Sequence, residues 1–136
     1  MESNIVQTAC IIDDDPIQTF LFKKMISIQN LAKKTIIFNE AKQAFAYIFE
    51  FLNQPEKLPD VILLDINMPE MNGWDFLKKY EGLLPYISKK PTLYLVSSSS
   101  DEKDKSRAEK HKSIEAFKVK PLRPEDLKHI FSKKLI

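Results

Sequence analysis

Three short segments each set an ionisable side chain at the end of an apolar run: Asp13 and Asp14 in CIIDDD, Asp65 in VILLDINMPEMNG, and Lys120 in FKVKPL. Apolar runs with little alternation read as strands buried on both faces, the pattern of a parallel sheet. In open α/β sheets, ligands sit beyond the carboxyl ends of such strands. If these three strands are neighbours, three carboxylates and one ammonium meet at a single rim.

Carboxylates gathered that closely repel one another, which raises at least one pKa and works against folding. An oxygen-only set with open positions suits a hard divalent cation, and an incomplete cage favours Mg²⁺, which keeps part of its water shell. A backbone carbonyl just after Asp65 would add an oxygen, and Asn67 is the candidate by position. No His or Cys joins the set, which argues against zinc. A carboxylate can also act as a nucleophile toward a phosphoryl group, giving an acyl phosphate. Lys120 would then pair with a phosphoryl oxygen, and Ser97, closing a fourth apolar run, offers a small hydroxyl at the same rim.

The elements that must position these groups alternate five times. Residues 8–12, 35–38, 61–64, 92–96 and 114–119 read as strands. Helices are expected after each. Pro16 suits a helix start, with Ile17, Phe20, Leu21, Lys24, Met25 and Ile28 following at helical spacing. A second helix spans Ala41 to Leu52. A third follows Gly73 and carries Trp74, Phe76, Leu77 and Tyr80. The stretch EKDKSRAEKHKS has helical composition but only Ala108 to bury, which predicts a loosely held helix. The last begins at Pro124 and turns Leu127, Ile130 and Phe131 inward. Short strand–helix alternation predicts one doubly wound α/β domain with right-handed crossovers.

Composition sets the outer bounds. The chain's 136 residues fit one domain, and 43% hydrophobic content is enough for one packed core. A net charge of +2 is too small to argue for nucleic acid. No apolar run approaches membrane-spanning length, and the N-terminus lacks a signal-peptide pattern. The lone Cys10 is expected to be a buried thiol, and the chain a cytoplasmic one. His111 and His129 have no partner at metal-ligand spacing and are expected to be solvated.

Four segments in order carry a resemblance: DDD at 13–15, LLDINMPEMNG at 63–73, LVSSSS at 95–100 and KP at 120–121. Together they resemble the receiver domain of two-component response regulators, the CheY-like family, in its single-domain form across residues 1–136 with no output domain. The resemblance implies a flavodoxin-like (βα)5 three-layer sandwich whose parallel five-stranded sheet runs in the order 2-1-3-4-5. It makes Asp65 the phosphoacceptor, Asp14 a direct Mg²⁺ ligand, Asp13 a ligand through water, and Asn67 a carbonyl ligand. Asp15 falls outside this acidic pair. Ser97 takes the place of the switch hydroxyl, Phe117 that of the aromatic switch, and the Lys120–Pro121 bond is expected to be cis. Asn67 and Ser99 occupy the positions that tune acyl-phosphate lifetime in the family.

The function so implied is phosphoryl transfer from a histidine kinase or histidine phosphotransfer protein onto Asp65. Output would pass through an unknown downstream protein at the face of the fourth helix, fifth strand and fifth helix. Such a chain promotes its own phosphorylation without being an enzyme in the usual sense. Two other functions compete: a degenerate receiver that binds partners without phosphorylation, and an aspartate-nucleophile phosphatase. The phosphatases carry a second Asp two residues after the nucleophile, where this chain has Asn67.

Overall fold

Five strand segments pair side by side, the three inner ones buried along most of their length and the two edge strands partly exposed. In the computed structural model, which describes residues 5–98 and 101–134, they are β1 (Val6–Ile12), β2 (Ala32–Phe38), β3 (Val61–Asp65), β4 (Thr92–Ser97) and β5 (Ile114–Val119). All pairings are parallel and the order is β2-β1-β3-β4-β5. Every residue of β3 is buried, as expected for the central strand. The register aligns the carboxyl ends: Ile12 faces Leu64, Asp65 faces Val96, and Ser97 faces Val119. The sheet order reverses at β1 and β3, so their ends flank the crevice where such folds bind ligands.

Helices cover both faces. They are α1 (Pro16–Ile28), α2 (Ala41–Glu50), α3 (Gly73–Leu83), α4 (Glu102–Glu109) and α5 (Pro124–Lys134). One core joins Phe22 and Ile26 of α1 to Leu127, Ile130 and Phe131 of α5 beneath Ile11, Leu63 and Val96. The other packs Ile48 of α2 and Phe76, Leu77 and Tyr80 of α3 against Ile12, Ile62, Leu64 and Leu95. Cys10 lies in this second core, and burial pushes its thiol up to about 12, so it stays protonated.

Two elements differ from the sequence reading. In α1 the buried side chains are Thr19, Phe22 and Ile26, while Ile17, Phe20, Leu21 and Ile28 are exposed. The helix has apolar residues on both faces, and packing on the sheet selects the narrower set. His111, expected in solvent, is half-buried, and its Nδ1 lies 2.9 Å from Glu81 Oε2 of α3.

That pair helps hold α4, which buries only Ala108. Asp101 caps the helix by accepting from the Lys103 amide, and the Arg107 guanidinium lies 4.3 Å from the centre of the Trp74 ring. Trp74 itself is buried in the core, and its ring lies 5.9 Å from that of His111. The fourth helix is therefore attached by polar and cation–π contacts rather than by an apolar stripe.

Gly73 fixes the path from β3 into α3. Its amide donates to the Ile66 carbonyl at 2.8 Å, and a methyl group on its Cα would lie 2.6 Å from the Asp65 carbonyl oxygen. Gly82, in the same helix, has nothing within 4 Å of that position. Gly73→Ala is expected to cost about 1–3 kcal/mol through overpacking. Gly82→Ala is expected to stabilise by about 0.5–1 kcal/mol through helix propensity. Urea denaturation of the two variants checks this, and equal effects would contradict it.

Candidate functional site: an acidic rim closed by a lysine

Asp13 follows β1 directly and is buried. Its Oδ1 accepts from the Asp15 amide at 2.9 Å, and its Oδ2 accepts from Lys120 Nζ at 2.8 Å. Both oxygens of the buried carboxylate are thus satisfied, one by backbone and one by charge. Asp14, next in the chain, is exposed. Asp15 caps α1 by accepting from the Ile17 amide at 2.9 Å, and it also lines the cavity at this rim.

Asp65 ends β3 and is buried; its Oδ1 lies 3.4 Å from Lys120 Nζ. Carboxylate oxygens of Asp13, Asp14 and Asp65 come within 4.8 Å of one another. Lys120 reaches them from the turn after β5, where its amide donates to the Ser97 carbonyl at 2.7 Å and its bond to Pro121 is cis, as expected. These side chains border an open cavity of about 400 Å³ that Gln18, Asn67, Ser98 and Pro121 also line.

The electrostatics follow from burial. Desolvation raises the Asp65 pKa to about 6, the Asp13 charge adds to this, Lys120 opposes it, and Asp14 adds a smaller increment. Burial alone would lower the Lys120 pKa, but its hydrogen bond to Asp13 and the charges of Asp13 and Asp65 outweigh that and leave it raised. One ammonium facing three carboxylates leaves the rim short of positive charge. Hard oxygen donors, one exposed and two buried, with open space before them, fit a Mg²⁺ ion that keeps several waters.

The remaining expected residues take different positions. Ser97 is fully buried at the end of β4, while Ser98 lines the cavity. Asn67 lines the cavity and is exposed. Phe117 is half-buried on β5, beside a separate cavity of about 370 Å³ bordered by Lys105, Ala108 and His111. Ser99 lies outside the described residues. Gln18 was not among the expected site residues. The spacing D-x-x-Q at 15–18 reads as a capping box, which conceals any second use.

This fold and rim define a receiver-type module. The sequence model of the response regulator receiver domain matches residues 9–132, and the chain belongs to that family. A response regulator receiver protein from Dyadobacter fermentans superposes with a TM-score of 0.80 at 27% identity, covering 96% of this chain and 98% of that one. A two-component response regulator from Cytophaga hutchinsonii gives 0.86 at 27% identity with the same coverage. Among curated relatives, the two-component response regulator ORR1 of Oryza sativa subsp. japonica is 28% identical over 127 residues. The nitrate/nitrite response regulator NarL of Escherichia coli K12 is 33% identical over 121 residues. The chain spans about half the length of these two, 54% and 50%, while 92% and 88% of it is aligned. Receiver domains are generally signalling modules rather than classical enzymes, and they typically bind Mg²⁺ at an acidic pocket. Among the described residues, no helix is long and apolar enough to cross a membrane.

The raised Asp65 pKa has a definite sign in stability. Between the ordinary value of 3.8 and about 6, the folded chain holds more protons at this site than the unfolded chain does. Stability therefore falls as pH rises through that window and stays lower above it. In metal-free buffer, Asp65→Asn is expected to melt above the wild type at pH 7–8, with the gap closing as pH falls from about 6 toward 4. Thermal melts across pH check this. A gap independent of pH would contradict it.

Proposed function

We propose that the protein takes a phosphoryl group from a phosphohistidine of a kinase or phosphotransfer protein onto Asp65, and that this occurs in the cytoplasm. The observation that carries the reading is the position of the Asp65 carboxylate. It stands at the end of the central strand, 3.4 Å from Lys120 and beside the Asp13–Asp14 pair, facing an open cavity. In the transfer, an Asp65 carboxylate oxygen bonds to phosphorus while the bond from phosphorus to the donor nitrogen breaks. The imidazole leaves with that electron pair. Asp13 and Asp14 would hold Mg²⁺ with Asp65 and the Asn67 carbonyl, and the ion would neutralise phosphoryl oxygens as charge builds on them. Lys120 is poised to leave Asp65 Oδ1 for a phosphoryl oxygen while keeping its shorter contact to Asp13.

The exposed stripe of Ile17, Phe20, Leu21 and Ile28 supports the choice of a protein donor. It runs along the helix that begins at this rim, so an apolar partner surface seated there would stand beside Asp65.

For the output, Ser97 would be drawn toward the new phosphoryl group and Phe117 would turn into the space released. Phosphorylation adds charge and acceptor oxygens at the rim and so favours one of two arrangements. The thin attachment of α4, with one buried residue, supports a movable α4-β5-α5 face for a downstream protein.

Intact-mass spectrometry after incubation with acetyl phosphate tests the reading. Gain of one phosphoryl group is expected, requiring Mg²⁺ and lost in Asp65→Ala. A folded wild type that gains none from acetyl phosphate or from a phosphohistidine donor would favour a phosphorylation-independent binding module. Steady release of phosphate from small esters would instead favour a phosphatase.

A further inference from the structure

Gln18 is the third residue of α1, the position from which a glutamine ordinarily reaches back to the amide of its own cap residue. That bond is pre-empted here. The Asp15 amide is already donated to Asp13 Oδ1 at 2.9 Å, so only the forward half of the capping arrangement forms, Asp15 Oδ1 accepting from the Ile17 and Gln18 amides. Among the described residues the Gln18 carboxamide has no hydrogen-bond partner, yet it lines the cavity in front of Asp65. Gln18 is half-buried, whereas Asn67 and Ser98, the other uncharged polar residues lining this cavity, are exposed. A half-buried, uncommitted amide beside a nucleophile's cavity has a hydrogen bond to give and one to accept.

We propose that Gln18 is a positioning residue for hydrolysis of the aspartyl phosphate, its carboxamide orienting the attacking water and so setting how long Asp65 stays phosphorylated. The inference rests on the reading of Asp65 as phosphoacceptor. In-line displacement requires the nucleophile to approach phosphorus opposite the leaving carboxylate, and the cavity lined by Gln18 is an open approach to Asp65. The amide oxygen accepts a hydrogen bond from the attacking water, a contact that exists in hydrolysis and not in labelling. Being neutral, the group does not repel the phosphoryl charge. As the bond from water oxygen to phosphorus forms, the bond from phosphorus to the Asp65 oxygen breaks and the carboxylate leaves with the electron pair. The water's proton passes to a phosphate oxygen, and inorganic phosphate departs. Gln18 neither takes nor gives a proton.

The test uses the full chain labelled with acetyl phosphate and Mg²⁺, with the donor then removed and decay of the phosphorylated mass followed. Wild type is compared with Gln18→Ala and with Gln18→Met, which keeps length and helix preference but loses hydrogen bonding. Both variants are expected to label at close to the wild-type rate and to decay more slowly by on the order of tenfold, the loss of one hydrogen bond to the transition state. A distorted rim would move labelling and decay together, so the split between them separates positioning from structure. In denaturant all three phosphoproteins are expected to decay alike. Unchanged or faster decay in both variants, or labelling and decay slowed in parallel, would overturn the proposal. If the wild type takes no phosphoryl group, the reading of Asp65 fails first and this inference falls with it.

Discussion

The buried ion pair between Asp13 and Lys120 is the contact on which the rest of the site depends. It spans 107 positions of sequence and ties the end of β1 to the turn after β5 across the ends of β3 and β4. A buried charge pair of this kind contributes little net stability by itself, because desolvation offsets most of the attraction. Losing Lys120 is another matter, since the Asp13 carboxylate would stay buried without a counter-charge. The pair also sets the chemistry. With Lys120 held at 2.8 Å by Asp13 and at 3.4 Å by Asp65, one positive charge is shared by two acids, and Asp65 receives the smaller share. Burial is the main cause of its raised pKa, the Asp13 charge adds to it, and Lys120 opposes it only in part. A rim left short of positive charge, with space in front, is suited to a cation first and to a cation-neutralised phosphoryl group second.

The backbone around this pair is arranged so that little needs to be held by side chains alone. Asp15 and Asn72 cap the two helices that begin beside the rim, and Gly73 lets α3 approach the Asp65 carbonyl more closely than any other residue would allow. Rigid strand ends and capped helices fix the acids, while the neighbouring α4 is attached through Ala108, the Arg107–Trp74 stack and the His111–Glu81 pair.

Much of this was legible in the residues. The inner strands advertise themselves by unbroken apolar runs and the edge strands by shorter ones, so all five and the acids ending β1 and β3 could be located, although β1 and β2 begin earlier than TACII and TIIF suggest. The apolar face of α1 was not legible. Ile17, Phe20, Leu21 and Ile28 satisfy helical spacing as well as Phe22 and Ile26 do, and only the direction in which the helix crosses the sheet decides between them. His111 was misplaced because its partner, Glu81, lies 30 residues away on α3. Gln18 was hidden for a related reason: its local pattern reads as a helix cap, and the competing bond from the Asp15 amide to Asp13 exists only in three dimensions.

On the proposed function, the Asp65 carboxylate alone carries the phosphoryl group. Reduction of the phosphorylated protein with borohydride converts an acyl-phosphate aspartate to homoserine, which peptide mass mapping locates. The expected result is homoserine at position 65 alone, with Asp13 and Asp14 intact. Homoserine at position 13 or 14, or at a site remote from the rim, would contradict the account, because the carboxylate beside Lys120 at the end of β3 would then not be the nucleophile.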